Sequence, residues 1–120
     1  MATFSKIALS GSTDGKMIKV AQTATAGTTI HTGSDTATTF DEIWLYAVNS
    51  GATDVKLTVE WGGTTSPDDL IEFTVPAESG LYLVSPGLVI KGNAAALVVR
   101  AFAATADAIN IAGYVNRITA

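Results

Sequence analysis

From Val55 to Trp61 the chain alternates: Val55, Leu57, Val59 and Trp61 are apolar, and Lys56, Thr58 and Glu60 between them are polar. Successive side chains of a strand point to opposite faces, so this run is a strand with one face in a core and the other in water. The same period returns at Ile71-Phe73-Val75 and at Ile109-Ile111. Between these runs stand Gly, Pro, Ser and Asp, with no apolar stripe at helical spacing. Strands that are apolar on one side must bury that side against a second sheet. The expected fold is a single all-β domain, an antiparallel β-sandwich or jelly-roll-like barrel of about eight to ten short strands. Residues 1–15 are a candidate N-terminal arm.

Punctuation places the other strands. Asp14-Gly15 is a strong turn dipeptide between Ser5–Ser10 and Lys16–Gln22, which reads as a hairpin. Residues 21–39 are mostly Thr, Ala and Gly around Ile30 and His31, and they fit a short β-branched strand near Thr28–Thr32 followed by a loose loop. They also fit a loop that orders against a partner. Asn49-Ser50-Gly51-Ala52-Thr53-Asp54 reads as the turn of a hairpin between the 43–48 and 55–61 strands. Ser85-Pro86-Gly87 divides Leu81–Val84 from Leu88–Lys91, and Ala95–Ala103 and Ala108–Ile118 complete the set. Short connections predict antiparallel pairing of sequence neighbours.

One strand breaks the alternation. Ile43-Trp44-Leu45-Tyr46-Ala47-Val48 is apolar on both faces, and in a small sandwich the second face has few places to hide. Another subunit is one such place. Trp44 and Tyr46 share that second face, where they suit the core, a subunit interface or stacking on sugar rings. Composition points the same way. Charged residues are 15% of the 120, below the usual share of about 25%. The non-core surface is therefore small and neutral, and loses little side-chain entropy on contact. An ordinary neutral β protein has the same composition.

Several function classes are disfavoured. A net charge of −4 without a Lys/Arg cluster argues against nucleic acid and against an anionic membrane. The absence of cysteine suits folding in a reducing cytoplasm. Residues 1–6 lack the apolar stretch of a secretory signal, and no apolar run approaches the ~20 residues of a spanning helix. His31 is the only histidine and has no nearby acid in sequence, so it reads as a strand or loop residue rather than a general base. Asp68, Asp69 and Glu72 lack the order of a calcium loop and read as solvated turn acids. Asp41 and Glu42 are adjacent on a strand, so they point to opposite faces and fit poorly as paired carboxylates. No phosphate-binding or dinucleotide fingerprint is present, and no cofactor or metal is expected.

The runs Phe40–Ser50, Asp54–Gly63, Ile71–Gly80 and Gly113–Ile118 resemble small virion proteins of tailed bacteriophages. The pattern is one of strand and turn, spans roughly residues 15–118 and contains no catalytic motif. The resemblance implies a structural protein of a phage particle, first of all a capsid decoration (cement) protein. Such proteins are non-enzymatic, β-rich, bind the outer capsid and often trimerise. The expected partners are then the major capsid protein and further copies of the chain, a trimer being favoured, on a virion assembled in the host cytoplasm. A tail or head-fibre component and a carbohydrate-binding module are the alternatives. The candidate interface residues are Trp44 and Tyr46 for self-association, with the N-terminal segment Ala2–Lys6 (Ala2, Thr3 and Phe4 foremost) or the 21–39 stretch with Ile30 and His31 for capsid contact.

Overall fold

The computed structural model describes residues 2–120, which contain nine strands and no helix. They are β1 (Thr3–Ala8), β2 (Ile18–Lys19), β3 (Thr28–Thr32), β4 (Thr39–Asn49), β5 (Val55–Trp61), β6 (Leu70–Val75), β7 (Tyr82–Lys91), β8 (Val98–Ala103) and β9 (Ile109–Thr119). They form two antiparallel sheets. One has the order β1-β9-β4-β7, with β2 also paired to β9, and the other has the order β3-β8-β5-β6. If β1 and β2 count as one interrupted strand, eight strands are shared between the two sheets in the order of a jelly roll. The sandwich predicted from the sequence is the fold observed.

The core lies between the sheets and is filled by the inward sets of the long strands. On β4 these are Ile43, Leu45 and Ala47; on β5 Val55, Leu57 and Val59; on β9 Ile109, Ile111 and Val115. Ile18, Val20, Ile30, Val75, Ile90, Val99 and Ala101 close it. Trp61 and Phe73 pack against this cluster while remaining partly exposed, as their alternation predicts.

Pairing departs from the expected hairpins. Asp14 and Gly15 take the positive φ expected of their turn, 55° and 84°. Yet β1 and β2 do not pair with each other. They lie end to end on one edge of β9, β1 along Tyr114–Thr119 and β2 along Asn110–Ile111. The intervening loop is pinned to the other sheet, where the Gly11 N–H donates to the Ile30 carbonyl. Residues 3–8 are therefore an edge strand and not an arm. The turn after β4 likewise leads from one sheet to the other. Buried Asn49 holds it, donating from Nδ2 to the Thr53 and Val75 carbonyls and accepting at Oδ1 from the Gly51 N–H. Of the strands adjacent in sequence, only β5 and β6 pair.

Ser85-Pro86-Gly87 does not split a strand either. β7 is continuous, and its register on β4 slips twice, so that Ile43 faces Leu88 while Trp44 faces Pro86. Gly87 is the unpaired residue of the first slip, with φ of 83°, the left-handed conformation that a bulge assigns to glycine. The Ser85 hydroxyl is buried there and donates to the Ile43 carbonyl at 2.7 Å.

Candidate interaction surface

β3 slips against β8 between Thr29 and His31. A bulge breaks alternation, and so two successive side chains, Ile30 and His31, both enter the interior. Neither can touch a partner in this fold, which corrects their expected place in an interface. Ile30 is core. His31 joins a polar cluster at one end of the sandwich. Its Nε2 lies 2.8 Å from Asp41 Oδ2, and its Nδ1 accepts the Ser10 N–H at 3.1 Å. With a donor already on Nδ1, the ring proton sits on Nε2 and is donated to Asp41. Arg117 completes the cluster with a fork on the same carboxylate, Nε to Oδ1 at 2.7 Å and Nη2 to Oδ2 at 2.8 Å.

Ser10, His31 and Asp41 have the residue types of a hydrolytic triad but not its geometry. The Ser10 hydroxyl accepts from the Thr32 N–H and makes no bond to the imidazole. The histidine and aspartate are 1% exposed, so no substrate reaches them. Burial would raise the Asp41 carboxyl. The Arg117 and His31 hydrogen bonds and the Arg117 charge outweigh it and hold the carboxyl below its ordinary range. Asp41 in turn raises the Arg117 guanidinium. This is a fully paired structural ion cluster.

The neighbouring Glu42 points outward, as its adjacency to Asp41 requires. It sits in the middle of the outer face of the β1-β9-β4-β7 sheet, which register defines row by row. Phe4, Ile118, Phe40 and Lys91 form one row, followed by Lys6, Asn116, Glu42 and Val89, then Ala8, Tyr114, Trp44 and Pro86, then Ala112, Tyr46 and Leu83. Such a face of an antiparallel sheet is ordinarily polar. Here three of the four rows carry only apolar and aromatic side chains across β1, β9 and β4, apart from the Tyr46 and Tyr114 hydroxyls, and Phe4 stands 74% exposed at the corner. Val89, Leu83 and Leu88 on the edge strand β7 are exposed beside them.

The aromatic centre is organised. Trp44 and Tyr114 lie nearly parallel, with centroids 6.2 Å apart and planes at 11°. The Trp44 indole also rests on Gly87, where a side chain would collide with it. The Lys6 ammonium stands 4.9 Å over the Tyr114 ring. Glu42 Oε1 accepts from Trp44 Nε1 at 2.7 Å and from Asn116 Nδ2 at 3.1 Å, and these bonds lower its carboxyl below the ordinary range. Between Phe4, Lys6, Glu42, Asn116 and Ile118 the face dips into an open hollow of about 400 Å³.

Of the residues singled out in the sequence, Trp44, Tyr46, Thr3 and Phe4 belong to this sheet. Trp44, Tyr46 and Phe4 meet on its outer face, and Ala2 precedes β1 in exposed chain. Lys6 falls within the N-terminal segment expected to make contact, whereas Tyr114 and Ile118 were missed as parts of the surface. Alternation from Ile109, Ile111 and Val115 inward places Ala112, Tyr114, Asn116 and Ile118 outward, but Gly113 interrupts the inward series and hides the signal.

The opposite face, on the β3-β8-β5-β6 sheet, is of another kind. Thr58 and Glu60 are on its outer side yet buried. The Thr- and Ala-rich segment 21–27 crosses over them, and the Glu60 carboxylate accepts from the Thr25 hydroxyl and from the Gly27 N–H at 2.7 Å. The polar side of β5 is thus covered by the chain itself. Nearby, Lys56 and Glu72 form an exposed ion pair at 3.0 Å, and Asp69 accepts the Thr65 N–H. Among the described residues no group of three His, Asp or Glu side chains is placed to hold a metal ion.

Comparison with protein-family models, with curated proteins and with solved structures gave no match.

Proposed function

We propose that this chain is a non-enzymatic structural protein of a virus particle, a capsid decoration protein that binds the outer shell and stabilises it. The observation that carries the reading is the outer face of the β1-β9-β4-β7 sheet. It sets Phe4, Phe40, Trp44, Tyr46, Tyr114 and Ile118 in rows facing outward. A contiguous apolar face of this size marks a protein contact. Its large rigid rings offer contact area at little entropic cost. The strand-and-turn resemblance to phage virion proteins supplies the class of partner, the major capsid protein. Binding to the assembled shell, and not to its free subunits, stabilises that shell by mass action. Many copies allow each contact to be weak.

Purified protein mixed with expanded, undecorated capsids should bind at a fixed number of sites and raise the melting temperature of the shell. Absence of binding to any such shell overturns the reading. If labelled protein is seen by electron microscopy on tails or fibres instead of the head, the structural role stands and the location moves. The paired Trp44 and Tyr114 rings beside Asn116 favour one second reading, a glycan-binding module, since parallel rings next to an amide also suit a sugar. A glycan array with signal lost in Trp44→Ala would choose that reading.

A further inference from the structure

Across β1, β9 and β4 the outer face carries two charges near its centre, one of each sign, while Lys91 stands outside them on β7. Lys6 and Glu42 flank Asn116 in a single row across β1, β9 and β4. A flat apolar partner laid on this face would strand both charges away from water, at a cost. We infer that the partner on this face is a second copy of the chain, packed face to face about a two-fold axis running along β9. The inference rests on the reading of this face as an assembly surface and names its occupant.

Such an axis leaves each row at its own level and reverses it from left to right. Lys6 then stands opposite the partner's Glu42, and Glu42 opposite the partner's Lys6, so both charges are paired at once. The neighbouring rows match in the same operation. Phe4 meets the partner's Phe40 at the mouth of the hollow. Ala8, the smallest side chain of its row, meets the partner's Trp44, the largest. Tyr114 meets its own copy. Charge, apolar character and size all complement under one symmetry operation, the self-complementarity that an isologous contact requires. Area agrees. The two eleven-residue strands β4 and β9 and the six-residue β1, about 4.8 Å apart and about 3.3 Å per residue, give a flat footprint of roughly 440 Å². The standing aromatic rings enlarge it toward the ~800 Å² per partner of a standard interface. A three-fold arrangement cannot stack one flat face on itself, so the pair replaces the trimer that the family resemblance implies.

The test is solution mass by analytical ultracentrifugation across a dilution series, with folding checked by circular dichroism. The wild type should sediment as a dimer. Lys6→Glu and Glu42→Lys should each weaken the dimer at least about tenfold, because each sets like charges face to face twice per dimer. The double variant Lys6→Glu/Glu42→Lys should recover it. Ala8→Arg, an exposed change that the fold tolerates, should leave a folded monomer. A wild-type monomer or trimer overturns the inference, as does a dimer indifferent to all four variants. Shell binding in the same samples separates the two readings. A monomer that still decorates capsids refutes the pair alone, and one that binds no shell refutes both.

Discussion

At the scale of single residues, the strongest constraints are polar and steric rather than apolar. Asp41 is 1% exposed and is held by Arg117 and His31. Asp41→Ala leaves a guanidinium and an imidazole N–H facing an emptied site, and should cost about 3 kcal/mol in urea unfolding. The pH dependence has a fixed sign. The folded carboxyl titrates below its unfolded value, so its contribution is complete above the ordinary carboxylate value of about 3.9 and is lost as pH falls through the lower folded value. Asp41→Asn should flatten that part of the acid limb in a series of unfolding curves. An unchanged limb would show that the Arg117 fork contributes nothing net. Gly113 is constrained by its neighbour. A Cβ there would meet the Trp44 carbonyl oxygen 2.0 Å away, in the strand beside it. Gly113→Ala must push β9 off β4 and should lower stability by roughly 1–3 kcal/mol, with no change in net charge to confuse the reading.

At the scale of elements, the strands were legible and their partners were not. Val55–Trp61, Leu70–Val75 and Thr28–Thr32 stand where periodicity and β-branching place them. Local pattern reports which side of a strand is buried, and that holds whatever the strand pairs with. It carries no record of which sheet receives the chain after a turn, and so Asn49–Asp54 reads as a hairpin but builds a crossing between sheets. Burial by a distant segment is equally silent. Glu60 alternates as a solvent residue and is 0% exposed because segment 21–27 lies over it. The bulge at Ile30 shows the same limit, since one inserted residue turns His31 inward with no mark in the composition. The 21–27 strap gives its own prediction. In Glu60→Ala the Gly27 N–H and Thr25 hydroxyl lose their acceptor. Amide exchange at Gly27 should accelerate at least about tenfold while β4 and β9 keep their protection, the behaviour of local rather than global opening. Equal acceleration throughout the molecule would mean that the strap is part of the global fold.

At the scale of the whole molecule, the two outer faces divide the labour of the sandwich. The β3-β8-β5-β6 face is polar, partly covered by the chain's own 21–27 segment and laced by the Lys56–Glu72 pair. The β1-β9-β4-β7 face is aromatic and has no covering segment among the described residues. β9 is the hub, pairing with β1, β2 and β4, so it joins both ends of the chain to the middle. It also fixes Tyr114, Asn116 and Ile118 in one plane with Trp44 and Phe40. A rigid plane of this kind suits the adhesive role proposed for it. The protein contains two tryptophans, Trp44 on the outer face and Trp61 against the core. The most direct measurement is therefore acrylamide quenching of Trp44 fluorescence in a Trp61→Phe variant, free at high dilution and then assembled on shells or at high concentration. The account predicts a blue-shifted emission and a clear fall in quenching on assembly, whereas an assembled protein whose Trp44 stays as accessible as in the free chain would contradict it.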